Sequence, residues 1–165
     1  MKKKELIKQL IAGFQNSLPV EVLPREMELP IDSGKIITVP GVRRCGKSSL
    51  FMLVINQLIA EKHLRKECIL FLNFDDERLQ FSADNLDEIL QAYRELYPDI
   101  PLKEAYLFFD EIQMAKDWQQ FVRRVYEQEC KHVFITGSNS HMLSSELSTS
   151  SVSYTHLTLP TKLEV

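Results

Sequence analysis

The chain has 165 residues, 44% hydrophobic and 26% charged, which is ordinary globular usage and enough for one packed core. Its formal net charge of -3 argues against sequence-independent nucleic-acid binding, which needs a surplus of Lys and Arg to replace counterions. No apolar stretch is long enough to span a bilayer, and the three cysteines are odd in number and widely spaced, so a reducing cytoplasm without disulfides is the expected compartment.

Taken in chain order, Leu6, Ile7, Leu10, Ile11 and Phe14 recur at helical spacing and predict an amphipathic helix near Lys3–Ser17 packed on a core. Glu5, Lys8 and Gln9 interrupt it too often for a signal peptide. A connector holding Pro19, Pro24 and Pro30 leads to a strand over Lys35–Val39 and then to a helix over Lys47–Glu61. Between them GVRRCGKSS fits G-x-x-x-x-G-K-[ST], with Gly41, Gly46, Lys47 and Ser48 in the motif positions, in the strand, loop, helix context that the motif requires. Gly41 and Gly46 let the backbone curl so that amides point at phosphate oxygens, where the helix N-terminus adds favourable partial charge. The cofactor-binding set is therefore Gly41, Val42, Arg43, Arg44, Cys45, Gly46, Lys47, Ser48 and Ser49, with Lys47 reaching the terminal phosphates and the Ser48 hydroxyl at a Mg2+ position. An ordinary glycine turn accounts for the glycines but not for the Lys-Ser pair. Arg43 and Arg44 serve equally as phosphate contacts or as an exposed rim, and Cys45 as a thiol activated by its setting or as small filler.

A strand over Cys68–Phe74 follows. The acidic run Asp75, Asp76 and Glu77 after it reads first as a solvated loop and second as a carboxylate source near a metal. A helix is expected from about Asn85 to Leu96, with Asp84 as its N-cap and Pro98 as its stop. The strand Ala105–Phe109 runs into Asp110 and Glu111, and carboxylates at the C-terminal end of a parallel strand face the crevice where open α/β sheets bind ligands. Asp110 suits the metal, directly or through water, and Glu111 suits orienting and deprotonating an attacking water. The next helix, about Asp117 to Glu129, carries Trp118, Phe121, Val122 and Val125 at core spacing. Arg123 and Arg124 on it read as surface solvation or as an arginine offered in trans. The strand His132–Thr136 ends at Gly137 with a polar tip, where Ser138 first and Asn139 second can touch a terminal phosphate or the water, a plain Gly-Ser-Asn turn being the alternative. Metal ligation through Cys68, Cys130 and His132 lacks a paired C-x-x-C spacing. Strands alternating with helices predict an α/β architecture with a parallel sheet covered on both faces.

The loop GVRRCGKS, the strand YLFFDEIQ, the helix around Trp118–Val125 and the tip FITGSNSHMLSSELS together resemble the AAA-type ATPases of the bacterial and archaeal group that carry an uncharacterised C-terminal domain (DUF4143-like). FLNFDDERL, Phe71–Leu79, is also similar to that group's second strand. The resemblance covers about Ile7–Thr149 and implies a three-layer P-loop NTPase fold, ATP bound with Mg2+ through Ser48 and Asp110, and hydrolysis assigned to Glu111. Lys47, Ser138 and Asn139 are implied beside Glu111 in the catalytic set. It also implies that the polar-tip strand lies between the phosphate-loop strand and the acidic strand, and that homo-oligomers or a protein partner form through the further domain. Past Thr149 the pattern departs. VSYTHLTLPT, Val152–Thr161, resembles a translated sequencing adapter, so 150–165 is expected to be a non-native tail, with 1–34 as helix and connector and 35–149 as an incomplete, C-terminally truncated nucleotide-binding core. Loss of a flanking strand would leave Lys35–Val39 as an open edge, which the alternating run Val152–Leu159 is predicted to occupy. An ATPase, a nucleotide-gated switch with little turnover and a small-molecule kinase remain as function classes. GTP is disfavoured because N-K-x-D does not occur.

Overall fold

The computed structural model describes residues 2–22, 31–40, 46–138 and 154–156. Among the described residues, four α-helices and five short strands follow in the order α1 (Lys3–Asn16), β1 (Ile36–Pro40), α2 (Lys47–Glu61), β2 (Ile69–Asn73), α3 (Glu88–Leu96), β3 (Tyr106–Asp110), α4 (Trp118–Gln128), β4 (Val133–Gly137) and β5 (Tyr154–His156). The sheet order is β2-β3-β4-β1-β5 and every pairing is parallel. Because β4 sits between β1 and β3, as expected, the C-terminal tips of the loop strand and the acidic strand flank a third tip that carries Gly137 and Ser138. Tyr154–His156 pairs with Ile36–Thr38 at the β1 edge, the place predicted for the alternating run.

Each strand sends alternate residues to opposite faces, and both faces are apolar because helices cover both. On one face Tyr106, Phe108, Phe134, Ile37 and Val39 meet Leu50, Phe51, Val54, Ile55 and Leu58 of α2. Phe108 stacks on Phe134 with ring centroids 4.5 Å apart, and Phe51 meets Phe108 edge-on at 5.2 Å. Burial of such side chains stabilises by about 1.5–3 kcal/mol each, and it anchors α2 on this sheet face with Lys47 and Ser48 of its first turn at the strand tips. On the other face Leu70, Leu72, Leu107, Phe109, Val133 and Ile135 pack against α1, α3 and α4, with Trp118, Phe121, Val122 and Val125 in the core as their spacing predicts.

The N-terminal helix belongs to the same core. Ile7 and Ile11 are fully buried, Phe14 stacks on Phe71 at 4.5 Å, and Gln15 Nε2 donates to the Ile69 carbonyl of edge strand β2 at 2.8 Å, closing part of that edge against other chains. No helix of the described residues is long and apolar enough to cross a membrane.

The third helix begins later than its sequence suggests. Residues Ala83–Asn85 form a separate 3-10 turn, opened by Ser82, whose amide donates to Asn85 Oδ1 at 2.8 Å, and α3 starts only at Glu88. Asp84 does not cap α3; Asp87 occupies the N-cap position and uses its carboxylate on Gln91 and Arg124. Leu86 and Asp87 keep right-handed helical dihedrals and the Ile89 amide donates to the Leu86 carbonyl at 3.1 Å, so the chain passes from the 3-10 turn into α3 through a tightened first turn, with Leu86 buried on the same face as Ile89 and Leu90.

Candidate functional site

Three strand tips and one helix start converge. Gly46 has φ 96°, a left-handed conformation that a side chain would oppose, and it turns the chain into α2 with Lys47 at the first helical position. The first-turn amides of Lys47, Ser48 and Ser49 precede the helix's own hydrogen-bond ladder and carry its positive partial charge. With Gly46 and Glu111 these residues line a cleft of about 250 Å³.

Lys47 is enclosed, its side chain 3% exposed. Its Nζ lies 3.1 Å from Glu111 Oε1 and donates to the Gly137 carbonyl at 3.2 Å. Ser48 Oγ donates to Asp110 Oδ2 at 2.6 Å, joining two residues 62 positions apart in the chain. The other Asp110 oxygen, Oδ1, accepts from the Thr136 hydroxyl at 2.5 Å, and Thr136 Oγ1 in turn accepts the Glu111 amide at 2.9 Å. Asp110 is thus held from β4, with one face of its carboxylate turned to the helix start.

Glu111 follows directly after β3 in the left-handed region, φ 55° and ψ 49°, where a non-glycine residue is uncommon and costs about 1 kcal/mol or more. That turn carries the carboxylate sideways off the strand end and into the cleft. Burial pushes its pKa up, but the hydrogen bonds from Gln113 and Lys47, the Lys47 charge and the Ser138 hydroxyl outweigh burial and leave it below the ordinary glutamate range. Gln113, in the 3-10 turn Ile112–Met114, donates from Nε2 to Glu111 Oε2 at 2.6 Å and to Ser138 Oγ at 2.9 Å.

Of the sequence-predicted site residues, the structure brings Lys47, Ser48, Asp110, Glu111 and Ser138 into one network, with Gly46 and Ser49 lining the cleft. Gly41, Val42, Arg43, Arg44, Cys45 and Asn139 lie outside the described residues. Thr136 and Gln113 were not foreseen. A lone hydroxyl in the otherwise apolar run VFIT marked Thr136, and an amide two places past the acidic pair marked Gln113, but neither residue declares its partner by spacing. The acidic loop turns out as a local structure: Asn73 Oδ1 accepts the Asp75 amide at 3.0 Å and Asp76 pairs with Arg78 at 2.6 Å. Arg124 binds Asp87 at 2.8 Å across α3 and α4, while Arg123 is exposed. Burial pushes both described thiols up, Cys130 to about 11, which disfavours the thiolate that metal ligation needs, and His132 stacks on Tyr106.

The donor set suits a small hard cation. A hydroxyl and a carboxylate oxygen stand side by side at 2.6 Å, all-oxygen and next to a cleft opening on helix amides, which is what Mg2+ with a phosphate demands.

A family model described as an AAA domain, AAA_14, matches residues 33–160. The chain belongs to the AAA domain family. Its match takes in every strand tip described above, and the parallel sheet with helices on both faces is the α/β P-loop NTPase fold. Nucleotide-binding, ATPase-like function comes with membership of the AAA domain family. An uncharacterised protein of Methanocaldococcus jannaschii is 36% identical to this AAA domain over 151 residues, covering 90% of the chain and 31% of the relative. An uncharacterised protein of Haemophilus influenzae is 36% identical over 118 residues, covering 72% and 29%. The chain therefore spans less than a third of the length of these curated relatives. The solved structure of C. elegans PCH-2 aligns with 95% of this chain and 42% of its own at 15% identity and a TM-score of 0.45, a likeness too slight to bear on function.

Proposed function

We propose that this AAA domain binds ATP with Mg2+ and hydrolyses it, and that in a longer protein the hydrolysis drives a conformational change in a further domain. The observation that carries the reading is the contact of Ser48 with Asp110, because it joins the phosphate-loop motif to the acidic strand at one point. Main-chain amides from the 41–48 stretch and the α2 start cradle the phosphates, and Lys47 moves from Glu111 to the terminal phosphates, a stronger counter-charge than one carboxylate. Ser48 and Asp110 would hold the cation, which would supply positive charge against the phosphates. Thr136 keeps Asp110 in place.

Water then attacks the γ-phosphorus in line. The bond from that phosphorus to the β,γ-bridging oxygen breaks, ADP leaves with the electron pair, and Glu111 accepts the water's proton, giving ADP and inorganic phosphate. Ser138, and Asn139 beside it, address the γ-phosphate or the water. The division we propose is 1–34, 35–149 and a non-native 150–165, whose Tyr154–His156 borrows the β1 edge, although the AAA domain match runs on to residue 160; a genomic clone that continues natively across the Thr149 junction would overturn the tail assignment. The cytoplasm, where Mg-ATP and free thiols coexist, is the matching compartment. Assembly with copies of itself or with a protein partner is assigned to the region outside this chain.

Glu111→Gln tests the activity: turnover falls about 10²- to 10⁴-fold while ATP affinity measured by calorimetry is kept. The engagement of Glu111 by Lys47 also favours a second reading, a switch that binds ATP and rarely turns over, because both groups start out satisfied by each other. Under that reading the parent chain binds Mg-ATP but releases little phosphate, and Glu111→Gln changes nothing measurable. Transfer of label to an acceptor in place of phosphate release would mean a kinase.

A further inference from the structure

The two oxygens of Glu111 are held by different partners. Oε1 faces the Lys47 ammonium at 3.1 Å, and Oε2 accepts from the Gln113 amide at 2.6 Å. The same Gln113 nitrogen spends its second hydrogen on Ser138 at 2.9 Å, so one carboxamide fastens the tip of β4 to the residue that ends β3. The orientation of that amide is decided by its surroundings: turned over, it would set its carbonyl against the Glu111 carboxylate. In the orientation observed its Oε1 is buried and meets no donor among the described residues. A buried acceptor without a donor costs stability, so a glutamine here is a poor choice for packing and a good one for holding a carboxylate.

We propose that Gln113 is a positioning residue of this site: its amide grips Glu111 Oε2 and Ser138 together, so that Oε1 is the oxygen freed to take the water's proton when a triphosphate draws Lys47 away. The inference rests on the ATPase reading above and adds to it which oxygen acts and what keeps it aimed. Lys47 has a better partner once phosphate arrives; Gln113 has no comparable attraction to an anion, since its two donors are already committed. Without the amide, the carboxylate would keep only the Lys47 ammonium and the Ser138 hydroxyl, and Ser138 would itself lose the bond that ties it to the β3 end, so Oε2 could turn toward the ammonium or the helix amides.

The test is steady-state hydrolysis of Mg-ATP by the full chain with Gln113→Leu, which keeps the bulk and removes the amide, and Gln113→Glu, which keeps the shape and sets like charge against Oε2. Expected is a fall in kcat of roughly 10- to 100-fold for Q113L, the worth of one charge-assisted hydrogen bond, and at least as large for Q113E. The KM, the calorimetric Kd for Mg-ATP and the melting temperature of Q113L should stay close to the parent's. A merely structural role would lower affinity, melting temperature and turnover together. That result, or a Q113L enzyme as fast as the parent, overturns the proposal and leaves the ATPase reading standing if Glu111→Gln is inactive. A parent chain that binds Mg-ATP without turnover overturns both.

Discussion

Two clusters in this domain pair carboxylates with cations at nearly the same distance and differ in everything else. At the strand tips Lys47 meets Glu111 at 3.1 Å with side chains 3% and 11% exposed. On the α3–α4 rim Arg124 meets Asp87 at 2.8 Å with side chains 39% and 42% exposed. The tip gives each charge a further partner, the Gly137 carbonyl of β4 accepting from Lys47 and the Gln113 amide of the 3-10 turn donating to Glu111, so the charges are solvated by protein and their directions are set. On the rim, water and salt solvate and screen the pair, which ties two helices loosely and fixes no direction. Geometry at the tip is therefore an inherited property of the fold, whereas the rim pair is an ornament on it.

The largest effect that would break this comparison is ligand linkage. Mg-ATP at a hundredfold excess over its Kd should stabilise the parent by about 2.7 kcal/mol in thermal or urea unfolding, and both Lys47→Ala and chelation of the metal should abolish the gain. An equal gain with and without Lys47 would show that the tip is not the nucleotide site. Next comes Thr136→Val, which keeps the shape but leaves Asp110 Oδ1 and the Glu111 amide without their shared hydroxyl. A loss of about 1–3 kcal/mol in urea denaturation is expected, with Thr136→Ser restoring most of it. Arg124→Ala should cost under about 1 kcal/mol and fade in high salt, and a larger loss would make the rim resemble the tip.

The smallest effect is a pH dependence at the rim. Burial pushes the Asp87 carboxyl up, but the hydrogen bonds from Arg124 and Gln91 and the nearby arginine charges prevail and hold it below the ordinary aspartate range. A carboxyl depressed by folding stabilises above its unfolded value, near 4, and the contribution disappears as pH falls through the lower folded value. The stability difference between the parent and Asp87→Asn should thus be present at neutral pH and shrink below about pH 4; a difference that persisted there would mean that charge on Asp87 is not its origin.

Much of this architecture was legible beforehand because it depends on local periodicity. The runs ending at Val39, Phe74, Phe109 and Thr136 are strands, with ends shifted by a residue or so, and Leu50, Val54 and Leu58 mark a helix that is apolar on one side. The start of α3 is not legible in the sequence because Asp84 looks like a cap in isolation, whereas the pairing of Ser82 with Asn85 opens a 3-10 turn before the helix. Thr136 and Gln113 went unseen because their meaning lies in residues 25 or 26 positions away or in a turn whose direction no pattern states.

By itself the sequence determined that a strand, a glycine-bearing loop and a helix follow one another with Lys47 and Ser48 at the helix start, since spacing and side-chain chemistry are properties of neighbours. Only the tertiary structure decided that Ser48 meets Asp110, that Glu111 leaves its strand through a left-handed turn, and that Thr136 and Gln113 divide the work of holding the two carboxylates. The physical reason is that parallel pairing of β3 with β4 and of β4 with β1 brings together tips that the chain itself keeps tens of residues apart.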